Sequence, residues 1–165
     1  MAYTTIDNPE LFFQCKLYSG SSSDVTVTFD GSEDMQPDLV WLKKRSGSGD
    51  HLIFDSVRGV NKRLQPNATD AEVDRTSNND ELKSFNSDGW TLGTYNSNVT
   101  GSGSSNVSWN WKKSATAGFD ILTFTGNASG NQTISHNLSA VPKFWHIKRL
   151  DQASNWCTYH VGLGG

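Results

Sequence analysis

One order of residue classes occurs twice in this chain: a proline, an apolar run, paired cations, a polar loop, a second apolar run and a glycine. Shifting the sequence by 105 residues lays Pro37 on Pro142 and Leu39-Val40-Trp41-Leu42-Lys43-Lys44 on Phe144-Trp145-His146-Ile147-Lys148-Arg149. The same shift sets Phe54 on Tyr159 and Gly59 on Gly164. Only three of the 24 aligned pairs are identical, so the likeness lies in the pattern of side-chain classes. A recurrence of this kind marks two copies of one supersecondary unit.

The unit reads as two β-strands. Leu39-Val40-Trp41-Leu42 is continuously apolar, which predicts a central strand buried on both faces, and Leu52-Ile53-Phe54 is its antiparallel neighbour across the Ser46-Gly47-Ser48-Gly49 loop. Phe144 to Ile147 is read in the same way. Further strands are expected at Phe12 to Tyr18 and at Val25 to Phe29, where Val25, Val27 and Phe29 alternate with Thr26 and Thr28. With 35% hydrophobic, 19% charged and 11% aromatic residues and 15 glycines in 165 residues, ion-paired long helices are disfavoured. The fold class predicted is all-β, an antiparallel β-sandwich of jelly-roll or concanavalin-like type with a second partial repeat of the same strand pattern.

Asn8-Pro9-Glu10-Leu11 predicts one helical turn before the first strand, with Asn8 as cap and proline at the first helical position. Thr69-Asp70-Ala71-Glu72 has capping-box spacing and predicts a short helix within a surface excursion from Val60 to Ser84. Asp88-Gly89 marks a hairpin between Ser84-Phe85 and Trp90-Thr91-Leu92, and Asn96 to Ser105 reads as a polar loop. Val107, Trp109 and Trp111 alternate with Ser108, Asn110 and Lys112, which puts the indoles on one face, and that face is expected to be core. Phe119, Phe124 and Gly126 restart the pattern of Phe13, Tyr18 and Gly20. Residues 1–117 are thus a first repeat with an N-terminal docking segment, and 118–165 the start of a second, incomplete one. A half unit leaves strand edges and an apolar face bare, so either the natural chain continues past Gly165 or residues 119–165 complete a sandwich with the first unit.

The net charge is −3, and the 14 Lys and Arg residues are scattered apart from Lys43 to Arg45 and Lys148-Arg149, read as solvated strand ends. Phosphate binding needs a concentrated cationic face, so no nucleic-acid partner is expected. No apolar run is long enough to span a bilayer, and the N-terminus lacks the form of a signal peptide, so a soluble protein made in a cytoplasm is expected. Cys15 and Cys157 lie in apolar runs and are read as free buried thiols.

Three chemistries compete. Cleaving a glycan needs two carboxylates a few ångströms apart, and Asp50, Asp55, Glu72 and Asp88 can be nominated, but no spacing forces any two together. Asp55 and Arg58 read as a strand-end ion pair or a turn bracket. The four histidines are dispersed; His146 and His160 could face each other across the second hairpin, yet no Cys or carboxylate spacing joins them to a metal site. No metal, cofactor or catalytic residue is therefore assigned. A binding function would rest on aromatic faces beside amides, for which Trp90, Tyr95, Trp109 and Trp111 lie near Asn96, Asn98 and Asn110 in sequence, and the candidate ligand-binding residues are Asp88, Trp90, Tyr95, Asn96 and Asn98. If any tryptophan is exposed, Trp90, beside its glycine turn, is the first candidate.

The run Gln36-Pro37-Asp38-Leu39-Val40-Trp41-Leu42-Lys43 resembles a repeated module of virion proteins from marine tailed bacteriophages. So do Phe54-Asp55-Ser56-Val57-Arg58-Gly59, Ser84 to Gly93, Val107 to Lys112 and the N-terminal Met-Ala-Tyr-Thr-Thr-Ile-Asp. The resemblance covers nearly the whole chain and implies a lectin-like β-sandwich in a tail fibre, head fibre or capsid decoration. It implies a non-enzymatic structural or attachment protein of the virion, made in the host bacterial cytoplasm. The implied partners are other virion proteins, further copies in a homo-oligomer and host cell-surface polysaccharide. The alternatives are a glycan-cleaving tail-spike enzyme and a docking module for C-terminal receptor-binding repeats. In the second copy His160-Val161-Gly162-Leu163 replaces Asp55-Ser56-Val57-Arg58, so the ion pair is not common to both.

Overall fold

The computed structural model describes residues 6–163. Asn8 accepts the Glu10 amide and caps a single 3-10 turn, Pro9–Leu11, as the sequence predicts. The turn delivers the chain into β1 (Phe13–Ser19), and β2 (Val25–Val27) follows after a Ser-rich loop. The recurrent stretch supplies β3 (Leu39–Lys44) and β4 (Leu52–Asp55), the antiparallel neighbours expected, with Leu39 opposite Asp55 and Leu42 opposite Leu52. After it come the short strands β5 (Lys62–Arg63) and β6 (Val73–Asp74), then β7 (Leu82–Asn86), β8 (Gly89–Leu92), the helix α1 (Ser97–Thr100) and β9 (Ser105–Trp111). The second copy contributes β10 (Phe144–Ile147) and β11 (Cys157–His160).

Two antiparallel sheets face each other, with strand orders β1-β9-β3-β4 and β2-β8-β7. Strand β3 is central, flanked by β9 and β4. Its inward residues Val40 and Leu42, with Leu52 and Phe54 of β4, are fully buried against Val27, Leu82, Trp90 and Leu92 of the second sheet and Val99 of α1. The fold is therefore an all-β, sandwich-like arrangement, with no helix among the described residues long and apolar enough to cross a membrane.

The β7–β8 hairpin closes through Ser87-Asp88, with Asn86 opposite Gly89. Gly89 sits at φ 108°, and a Cβ there would collide with the Val27 carbonyl, so no other residue fits this close approach. The excursion departs from expectation. Glu72 does not cap a helix over Thr69 to Glu72; its carboxylate instead meets Arg58, and the segment runs into β6. Conversely, the polar loop from Asn96 contains a helical turn, because the Asn96 side chain accepts the Asn98 amide and Val99 is drawn into the core.

Under the shift of 105, the β10–β11 pairs Phe144↔His160, Trp145↔Tyr159, His146↔Thr158 and Ile147↔Cys157 fall on the β3–β4 pairs Leu39↔Asp55, Val40↔Phe54, Trp41↔Ile53 and Leu42↔Leu52. The repeat thus holds in register as well as in sequence. Burial does not repeat, however: Phe144 to Ile147 is exposed, which corrects its reading as a buried central strand. The restart at Phe119 forms no strand beyond a single bridge to Ser114. In the first copy the corresponding β1 pairs with β9, and residues 119–125 have no such partner strand.

Candidate functional site

The deciding feature is which way β9 faces. Its amides and hydroxyl, Asn106, Ser108 and Asn110, point into the sandwich and are buried, while the opposite face carries Val107, also buried, and the half-buried Trp109 and Trp111. This reverses the expectation that the two indoles are core. The inward polar stripe is bonded at Asn110 and at the Asn106 side-chain nitrogen, while Asn106 Oδ1 is buried without a partner. Asn110 accepts the Trp90 indole N–H at 3.0 Å and donates to the Gln14 carbonyl at 3.0 Å and to Ser108 Oγ at 2.9 Å. A buried amide with its partners in place costs little, whereas an unpartnered one costs about 1–3 kcal/mol.

Trp90 is accordingly the most voluminous fully buried residue, not an exposed one, and cannot offer a face to a ligand. The other residues singled out with it are dispersed in role. Asp88 accepts the Met35 amide, Asn96 caps α1, and Asn98 packs beside Gly49. Tyr95 is exposed and lies under the Arg75 guanidinium, 3.4 Å from ring centroid to Cζ, with Arg75 held by two bonds to Asp80. Tyr95, Asn96 and Asn98 lie close in sequence, but fully buried Trp90 presents no surface beside them.

What the outward face of the four-stranded sheet carries instead is an aromatic cluster. Trp41 lies 6.2 Å from Trp109 and 6.5 Å from Trp111, and Phe13 lies 5.0 Å from Trp111. The Trp41 indole donates to His51 Nδ1, and burial together with Lys43 holds that imidazole below its ordinary pKa. The rings are tilted or edge-on to one another, between 41° and 77°. Towards β1 the cluster opens into an apolar cleft of about 260 Å³ lined by Ile6, Pro9, Phe12, Phe13, Trp111 and Phe119. Leu17 and Cys15 extend the same face and are exposed, so Cys15, like Cys157, is free but not buried.

A larger groove of about 600 Å³ lies where Arg58, Lys62 and Glu72 meet Thr123, Phe124 and Leu150. Its charge is internally satisfied. Arg58 bonds Asp55 at 2.5 Å, Glu72 at 2.8 Å and the Ile53 carbonyl, so the expected turn bracket has a second acid. Of the other nominated acids, Asp50 accepts from Asn67. A second buried pair, Arg63 with Glu81, lies nearby; burial pushes the Glu81 carboxyl up to about 7 against the pull of the Arg63 and Arg75 charges.

His146 and His160 do not face each other. His146 stands opposite Thr158, bonds its hydroxyl and stacks on Trp156 at 4.3 Å, while His160 stands opposite Phe144. No group of three or more potential metal ligands occurs among the described residues. Lys148 is no solvated strand end either, for its ammonium clasps the carbonyls of Thr69, Arg149 and Ser154.

The chain belongs to the family defined by the domain of unknown function DUF7483, which matches residues 8–165. No curated protein matches it, and no solved structure does.

Proposed function

We propose that the chain is a non-enzymatic structural module of a bacteriophage particle, and that the outward face of its four-stranded sheet docks on another protein of that particle. The observation that carries the docking is the aromatic face itself: Phe13, Trp41, Trp109 and Trp111, continued by exposed Leu17, cover one side of a sheet whose other side is core. Contiguous apolar surface of this kind marks interaction sites. A protein occupant is favoured over a sugar because the rings are mutually tilted, not a flat platform, and because Asn106 and Asn110 spend their amides inside the sandwich. The phage setting rests on the resemblance of the Gln36 to Lys43, Phe54 to Gly59 and Val107 to Lys112 motifs to virion modules.

Antibody raised against the chain should label intact particles of the virus that encodes it. Replacing Phe13 and Leu17 together with serine, on an edge strand where both are exposed, should leave the fold intact and cut incorporation into particles about tenfold. Unlabelled particles, or release of reducing ends from host polysaccharide by the purified chain, would overturn the proposal.

A further inference from the structure

We infer that the free edge and bare face of β10 form an acceptor site for an extended polypeptide segment with the alternation of β9, amide or hydroxyl side chains on one face and aromatic ones on the other. The first copy specifies the occupant. On one edge β3 pairs with β4, and on the other with β9, setting Leu39 on Trp111, Val40 on Asn110, Trp41 on Trp109 and Leu42 on Ser108. Strand β10 repeats the first pairing residue for residue through β11, and no described strand occupies its other edge. An unpaired strand edge is a template for main-chain pairing.

The face beside that edge is bare. Val40, Leu42, Leu52 and Phe54 are all 0% exposed, whereas Trp145 is 42% and Ile147 37% exposed, with Cys157 exposed beside them. Trp145 and Tyr159 stack across the hairpin at 5.4 Å and pre-form the apolar surface. The hairpin is held from its far end. Glu72 N–H donates to the Leu150 carbonyl, Ser154 N–H to the Thr69 carbonyl, and the Trp156 indole to the carbonyls of Gln65 and Ala68. These bonds fix the 148–156 loop on the first unit and leave β10 presented. The chain's own β9 cannot fill the site, because β1 and β3 already take both its edges. By the register of the first copy, the incoming segment sets aromatics against Phe144 and His146, an amide against Trp145 and a hydroxyl against Ile147.

A fluorescent peptide of residues 103–113, which carries the β9 pattern, is titrated into the full chain, and hydrogen exchange is followed by mass spectrometry. Saturable binding with new amide protection across 144–147 is expected. A peptide of the same composition in scrambled order, whose broken alternation no slide along β10 can restore, should bind at least about tenfold more weakly. Trp145→Asp should weaken binding by a similar factor, and the milder Trp145→Ser guards against loss of the hairpin. The inference is overturned if the two peptides bind equally, if protection appears elsewhere, or if neither binds. It is also overturned if the chain alone self-associates through this face, with Trp145→Ser abolishing the association, since the occupant would then be a second copy.

Discussion

The β3–β4 and β10–β11 hairpins share a sequence pattern and a strand register, yet one is the centre of the core and the other stands largely in solvent. The hairpin sequence alone therefore does not decide burial. What separates them is company: β3–β4 has β9 along its edge and the β2-β8-β7 sheet across its face, whereas among the described residues no further strand pairs with β10–β11, whose loop is tied to residues 65–72.

Matched truncations give the largest test of this contrast. Phe54→Ala should cost about 3–5 kcal/mol of stability, because it empties a fully packed site. Tyr159→Ala at the equivalent position should cost under about 1 kcal/mol, as expected away from a packed core. Urea unfolding of both variants checks the pair, and equal losses would break the comparison.

Buried charge sharpens it at the next scale. Glu81 belongs to the first unit, and its carboxyl is pushed from 4.5 up to about 7 by burial. The folded chain thus holds this proton more tightly than the unfolded chain. The stabilisation is complete below pH 4.5 and falls away as pH rises through 7, by on the order of 2–3 kcal/mol. Glu81→Gln, which keeps the neutral form, should flatten the decline in melting temperature between pH 5 and 8. Asp151, beside the second hairpin, is exposed and held below the ordinary carboxylate range by its bonds to Arg149. It acts with the opposite sign, its contribution being present above pH 4 and lost in acid.

The smallest effect is chemical. Cys157 occupies the position of fully buried Leu52 but is exposed, as is Cys15, so both thiols of the native chain should be labelled by iodoacetamide before any unfolding. Mass spectrometry of the labelled chain reads this directly, and protection of Cys157 would mean that something covers the hairpin.

Much of the architecture was legible in the residues. Apolar runs and turn chemistry placed β3, β4, β7 and β8, and the recurrence placed β10 and β11. The orientation of β9 was not legible. Period-2 alternation divides a strand into two faces without saying which faces inward, and here the polar one does, because Trp90 and Gln14 supply partners for Asn110. That partnership is made across 20 and 96 residues of chain, beyond any local pattern. The same inversion separates the surface from the core, since alternation favours Trp109 and Trp111 for the interior that Trp90 fills instead. Thr69 to Glu72 misled for a related reason: a capping box satisfies local backbone amides, but the buried Arg58 guanidinium is the more demanding partner for Glu72.

The place of β9 between β1 and β3 has a consequence for biosynthesis. Phe13 to Ser19 can find its partner only after Ser105 to Trp111 has left the ribosome, and β3 also waits for that strand with one edge open. At roughly 5–20 residues per second, several seconds separate the two events. Through that interval the nascent chain displays strand edges that chaperones, or a neighbouring nascent chain on the same message, can engage before the sheet closes.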